Sequence, residues 1–394
     1  MPYKTPELTI SPQVLKWARK TAGYTLDDIA TRLGVSRELL EVWEKGSEQV
    51  PLRVTQLEDL THFLKRPLAA FLLAEPPPEP EPLRDFRRAA GQPGPLSPGL
   101  RLVMRRARRL QRVARELMES MGISITSEIP TAELWDKPEP VGRELRKAFG
   151  VSTQEQLEWK SPWMALRHWR QTLEARNILV FQGDFSREEA QGFSMSDEYP
   201  YAIVLSSEDH PNARSFTLFH ELGHLLLRDG GICITELAYP TRKTKITKTE
   251  NWCHRFAEAF LIDDDILRSK EGTQFIIRMD PGYEDELKKL AFHFKVSRAV
   301  ILFRLWHDEL ISDSSFWSMY SKLQQIPKPK AKRKEEKKKG GPPPAQRALH
   351  ERGRFLSRLI LEALDRNILG YTDAADYLGV RPQHFEKIRL AAYG

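Results

Sequence analysis

From Arg101 to Met121 apolar side chains return at alternating four- and three-residue intervals, at Val103, Ala107, Leu110, Ala114, Leu117 and Met121. That spacing lines one stripe of a helix. Seven arginines fill the remaining faces of the stretch, so the expected element is a packing helix with a solvated basic face; phosphate contact is the alternative. The segment FTLFHELGHLLL at 216–227 is apolar almost all round, which predicts a buried central helix. In ENWCHRFAEAFLI at 250–262, Cys253, Phe256, Ala257, Phe260 and Leu261 mark a second buried helix. Short β-rich runs, NILVF and YAIVLS, alternate with helical stretches between about 140 and 320. The expected class is α+β, mainly helical with a small sheet.

Near the N-terminus, residues 26–45 read LDDIATRLGVSRELLEVWEK. Small Ala30 stands where two helices must approach, Gly34 supplies the turn, and Val35, Leu40 and Trp43 fill the space between them. This is the spacing of a helix-turn-helix. Thr25 and Asp28 are placed as a capping box for the first helix, and Ser36 as the cap of the second. Residues 11–74 as a whole resemble the XRE, or phage-repressor-like, DNA-binding domain, which implies an all-α fold. The second helix carries Arg37, a candidate for contact with DNA or a partner, but also Glu38, Glu41 and Glu44. Three carboxylates oppose the field of a phosphate backbone, so protein docking stands beside DNA binding as a role.

The same spacing returns at 371–390, YTDAADYLGVRPQHFEKIRL, where Ala375, Gly379, Val380, Phe385 and Ile388 superpose on Ala30, Gly34, Val35, Leu40 and Trp43. Pro382 is expected in the first turn of the second helix, where a missing amide is tolerated. A preceding helix with Phe355, Leu356, Leu359, Ile360, Ala363 and Leu364 would complete a three-helix core. Arg381, His384, Lys387 and Arg389 make this copy more basic; the first three are candidates for contact with nucleic acid or a partner.

Linkers separate these segments. EPPPEPEP cannot continue a helix, and KPKAKRKEEKKK at 328–339 is followed by glycines and prolines. The expected layout is a helix-turn-helix domain at 1–75, a Pro-rich linker at 76–100, the central domain at 101–325, a basic linker at 326–345 and a C-terminal helical module at 346–394. Net charge is +7, yet the 328–339 run alone carries eight basic and two acidic residues. The rest of the chain is therefore close to neutral, and the run reads as a solvated linker or a polyanion-binding tether. Two cysteines, Cys233 and Cys253, cannot build a disulfide framework, which fits a reducing, cytoplasmic compartment. The longest apolar run, LAAFLLA at 68–74, is too short to span a bilayer, so a soluble chain with no membrane role is expected.

The chemistry concentrates at 216–227. On a helix, His220 and His224 lie one turn apart on one face, so both imidazoles can reach a single zinc ion while Glu221 beside them takes a proton from the attacking water. Burying such groups without a partner or a metal costs on the order of several kcal/mol. A third ligand is required. Glu250 heads the second buried helix, 26 residues beyond His224; Glu236 and Glu258 are alternatives.

This region resembles the ImmA/IrrE family of metallopeptidases, in which HExxH is followed by a glutamate heading a second helix, in the manner of E-x-x-A-N/D-x-F-A. Glu250, Cys253, Phe256 and Ala257 match that pattern, and His254 replaces the usual Asn or Asp. The resemblance implies a zincin-like, gluzincin-type peptidase domain that binds Zn2+ through His220, His224 and Glu250, with Glu221 as general base. His254 would then support His220 or touch the metal. The strand Ala202, Ile203, Val204, Leu205 and Ser206 would pair with extended substrate, and His210 is a weaker thought for an oxyanion contact. By the same resemblance the substrate is a helix-turn-helix repressor or antitoxin cleaved under stress; a homodimer is a further expectation. The competing class is a DNA-binding regulator or toxin-antitoxin component with a structural or silent metal site.

Overall fold

The computed structural model describes residues 7–46, 50–78, 83–85, 94–124, 126, 129–233, 247–325 and 342–393. The basic run at 328–339 and Glu236 lie outside these residues. Contacts divide the chain into two compact units, Met1–Pro82 with Gly94–Arg106, and Leu83–Pro93 with Ala107–Gly394.

In the first unit an antiparallel pair, β1 (Glu7–Ile10) and β2 (Val50–Arg53), accompanies α1 (Pro12–Ala22), α2 (Leu26–Leu33), α3 (Arg37–Lys45), α4 (Val54–Leu64) and α5 (Leu68–Phe71). The start of α2 is fixed by Thr25 and Asp28, each accepting the other's backbone N–H, at 3.2 and 2.8 Å. Gly34 ends it in the left-handed region, φ 68°, and the Ser36 hydroxyl accepts the Leu39 N–H to begin α3. Ile29, Ala30 and Leu40 are buried, and Val35 and Trp43 are partly so. One feature of α3 departs from expectation. Glu44 points inward and accepts two hydrogen bonds of 2.6 Å from Arg19, Glu41 accepts from Lys45, and Arg37 is tied to Asp27. The outward face therefore shows Leu39 and Val42, 41% and 65% exposed, more than a row of carboxylates.

The second unit is built on a sheet of β3 (Arg84–Asp85), β4 (Leu179–Gly183), β5 (Gly192–Met195), β6 (Ala202–Ser206) and β7 (Gly231–Cys233), in the order β3-β7-β5-β6-β4. Strand β5 runs antiparallel to both neighbours; β6 and β4 are parallel. Around it lie α6 (Pro98–Ser120), whose N-terminal part belongs to the first unit, then α7 (Pro138–Ala148), α8 (Thr153–Glu158) and α9 (Pro162–Glu174). The long helix α10 (Pro211–Leu226) packs against β5 and β6, and its partner α11 (Lys248–Leu261) packs on α10 and α7. Helices α12 (Asp264–Ser269), α13 (Glu271–Arg278), α14 (Tyr283–Phe294), α15 (Arg298–His307) and α16 (Asp313–Gln325) follow. Trp169, Phe219 and Phe260 bring α9, α10 and α11 together, with ring centroids 5.1 and 4.0 Å apart. The arginine-rich helix is a packing helix: Arg108 pairs with Asp197, Arg115 with Glu119, and Arg109 with Asp376.

The C-terminal part contains α17 (Pro344–Arg352), α18 (Arg354–Asp365), α19 (Tyr371–Leu378) and α20 (Phe385–Tyr393). Pro382 lies in a separate 3-10 turn, Pro382–His384, rather than in the first turn of α20. Arg381 and Lys387 are exposed and His384 is half-buried, while Arg389 is held by Asp365 at 2.6 and 2.9 Å. Helix α17 packs on β4, and the Arg354 N–H donates to Glu174 of α9. No helix among the described residues is long and apolar enough to cross a membrane.

Candidate metal centre

Helix α10 begins at His210, whose ring nitrogen accepts the Asn212 N–H, with Pro211 in the first turn. His210 is thus engaged as a helix cap, which is a sufficient reason for its position. Ten residues on, His220 and its neighbour one turn later, His224, stand on one fully buried face with their Nε2 atoms 3.2 Å apart. Thr247 caps α11 by accepting the Glu250 N–H, which sets Glu250 in the first turn of that helix. Gly223 lets the two helices meet: a Cβ there would stand 3.1 Å from the Cys253 sulfur.

The carboxylate of Glu250 places Oε2 3.2 Å from His220 Nε2 and Oε1 3.3 Å from His224 Nε2. Each imidazole thus faces its own oxygen of the one carboxylate, and the two Nε2 atoms face each other at 3.2 Å. Tetrahedral coordination with bonds of about 2.0–2.1 Å separates neighbouring ligand atoms by about 3.3 Å, so these approaches suit a zinc-sized cation held by the two imidazoles and the carboxylate. This is the one such cluster of three among the described residues. His224 Nδ1 lies 3.0 Å from the Asp229 carbonyl, an arrangement in which Nδ1–H donates and the Nε2 lone pair faces the other ligands.

Charge states agree with this. Burial, aided by His254, pushes His220 down to about 3, so its ring is neutral near pH 7. Burial alone would raise Glu250, but the two imidazoles overcome it and hold the carboxyl well below its ordinary value. A neutral imidazole and an ionised carboxylate are the forms that bind metal.

Glu221 is buried beside this cluster, and its Oε2 accepts a 2.7 Å hydrogen bond from the Ser194 hydroxyl of β5. Strand β5 comes this close because Gly192 has no side chain; a Cβ there would lie 2.7 Å from Thr217 and 3.5 Å from Glu221 Cγ. Ser194 escaped the sequence reading, since a serine in a short strand carries no motif.

Other expected residues fall differently. Glu258, an alternative third ligand, is 2.8 Å from His307 Nδ1 and outside the cluster. His254 is buried with its ring centroid 4.5 Å from that of His220. Its Nδ1, however, is 2.7 Å from the Glu250 carbonyl, and the Nδ1 of His220 has no hydrogen-bond partner. His254 therefore braces the backbone of Glu250, leaves the outer nitrogen of His220 unsupported and lies outside the cluster of His220, His224 and Glu250. The proposed substrate strand needs correction. Ala202, Ile203, Val204, Leu205 and Ser206 all pair with β4, the first four also pair with β5, and the Ser206 N–H donates to Gln191. An internal strand with both edges satisfied has no backbone groups to offer a substrate. Cys253 is buried and its thiol is pushed up to about 11 by that burial, which removes it as a nucleophile.

Residues 173–306 match the family model described as the IrrE N-terminal-like domain, of the Peptidase M78 family. The match runs from the end of α9 through the metal cluster to α15. No curated protein matches the chain, and no solved structure does.

Proposed function

We propose that the chain is a zinc-dependent endopeptidase with His220, His224 and Glu250 as metal ligands and Glu221 as general base. The observation that carries this is the cluster of two imidazoles and one carboxylate, with mutual approaches of 3.2–3.3 Å, set beside a buried glutamate. Zinc, when bound, would polarise the scissile carbonyl and acidify water. Glu221 accepts the proton of the attacking water and passes it to the leaving amine. Ser194 holds the carboxylate in place for both transfers. No residue forms a covalent intermediate.

The substrate we infer is a helix-turn-helix repressor or antitoxin, docked by residues 1–75. Support comes from the match at 173–306, from the resemblance of residues 11–74 to repressor domains, and from the exposed Leu39 and Val42 on α3, which suit a protein partner better than phosphate. A second copy of this chain could use the same surface.

Metal analysis tests the core of the proposal. One zinc per chain is expected, lost in Glu250→Ala and retained in Glu258→Ala and Glu221→Gln; undiminished zinc in the Glu250 variant would remove it from the ligand set. Glu221→Gln should abolish hydrolysis and retain uncleaved substrate on purification. Deleting residues 1–74 should raise KM for the protein substrate and leave short-peptide cleavage unchanged. Equal KM values with and without this segment would rule out docking.

A further inference from the structure

Away from the metal ligands, the second unit contains a cavity of about 500 Å3 between α9, the β4 edge and the C-terminal helices. Its walls include Trp163, Leu166 and Leu349 together with Arg167, Arg170 and Arg354. The single carboxylate in the lining is Glu174, and it is already engaged: both oxygens lie within hydrogen-bond distance of the Arg354 N–H, at 3.1 and 3.2 Å, and Arg170 stands 3.9 Å away. Three guanidinium groups against one carboxylate leave an excess of two positive charges.

That excess is not balanced by other acids. Neither Arg167 nor Arg354 has a carboxylate partner among the ion pairs of the described residues; beside the Arg354 guanidinium stands the neutral amide of Gln171, whose oxygen, once turned toward it, accepts at 2.9 and 3.2 Å. Arg170 is nine-tenths buried, donates to the carbonyls of Val180 and Leu349, and keeps an Nε without a partner. The concentration of charge is felt by its surroundings. Burial, together with Arg170 and Arg214, pushes His350 in the cavity wall below its ordinary value, and burial with Arg167 and Arg358 does the same to Arg354 despite Glu174. Arg170 is buried, Arg354 half-buried and Arg167 at the open rim, and like charges gathered along one concavity favour an anion that joins them.

We propose that this cavity binds a small phosphate monoester with an apolar or aromatic body. A dianionic phosphate matches the charge excess of two, and guanidinium forks recognise phosphate oxygens pairwise. The volume lies within the usual range for small-molecule sites, and Trp163, Leu166 and Leu349 supply walls for the body of the ligand. The site shares no residue with the metal centre, so the proposal stands independently of the peptidase assignment.

Calorimetric titration of the full chain tests it, with adenosine monophosphate and phenyl phosphate as probes and adenosine and phenol as their uncharged counterparts. Saturable binding of at least one phosphate ester at one per chain is expected, with none for the uncharged pair. Arg167→Gln alters an exposed side chain and should fold normally while weakening binding at least about tenfold, the loss of one charge-assisted contact. Arg167→Gln with Arg354→Gln should abolish binding, and Glu221→Gln should leave it unchanged. Absence of saturable binding by both esters, or equal affinity in Arg167→Gln, overturns the proposal.

Discussion

Ser194 and Glu221 show what a single hydrogen bond does at the scale of one residue. The hydroxyl donor favours the ionised carboxylate and fixes its direction. Ser194→Ala should therefore lower kcat by about tenfold or more, keep zinc bound, and move the acidic limb of the pH–rate profile to higher pH. A purely structural serine would lower the melting temperature without moving that limb. His220 gives a second residue-scale prediction. Its imidazole takes up a proton near 6.5 in the unfolded chain but only at about 3 in the metal-free fold. Between those values the unfolded state binds more protons, so the metal-free protein loses stability as pH falls below about 6.5. With chelator present, His220→Asn should show a shallower decline of Tm between pH 7 and pH 5; an equal slope would mean that His220 is not buried neutral. His220, Glu221 and His224 were legible in the sequence because their spacing is itself the geometry, one helical turn on an apolar element. Ser194 was not, because its meaning comes from a strand brought against α10 by tertiary packing.

The elements divide in the same way. The caps at Thr25, Asp28 and Ser36 and the burial of α10 and α11 are local consequences of composition, and the structure has them. The place of β6 in the sheet is not local: its run of buried residues reads alike for an edge or an internal strand, and only the pairing with β4 and β5 decides. Glu44 is a similar case, since its ion pair with Arg19 spans 25 residues. Element packing also yields a prediction at Gly142, in the middle of α7. A Cβ there would meet the Phe256 carbonyl at 2.8 Å and the Phe260 nitrogen at 3.2 Å, both backbone atoms of α11. Alanine gains about 1 kcal/mol in helix propensity over glycine, but forcing two helices apart costs about 1–3 kcal/mol. Gly142→Ala should therefore lower Tm and, because α11 carries Glu250, weaken zinc binding with it. A variant as stable as the parent would show that α7 can shift freely.

For the whole molecule, the basic run and the C-terminal helices make opposite predictions although they adjoin in sequence. Residues 328–339 carry charge and no apolar side chains apart from one proline and one alanine, so deleting them should leave Tm nearly unchanged; a large fall would mean that the run is docked on an acidic surface. The helices that follow are part of the second unit. Leu356, Leu359 and Ile360 are buried, α17 covers the edge strand β4, and Glu174 accepts the Arg354 N–H at the turn between α17 and α18. Removing residues 342–394 would uncover β4, whose free edge invites pairing between chains. It would also take the Arg354 N–H from Glu174 and the Leu349 carbonyl from Arg170, which would keep its bond to Val180. Several kcal/mol of burial are lost, each worth about 2–4 °C in a chain of this size. The truncated chain should melt about 10 °C lower or more and aggregate on heating, while the 328–339 deletion melts with the parent. Equal melting of all three would show that the C-terminal helices are a detachable module that contributes nothing to the fold they rest on.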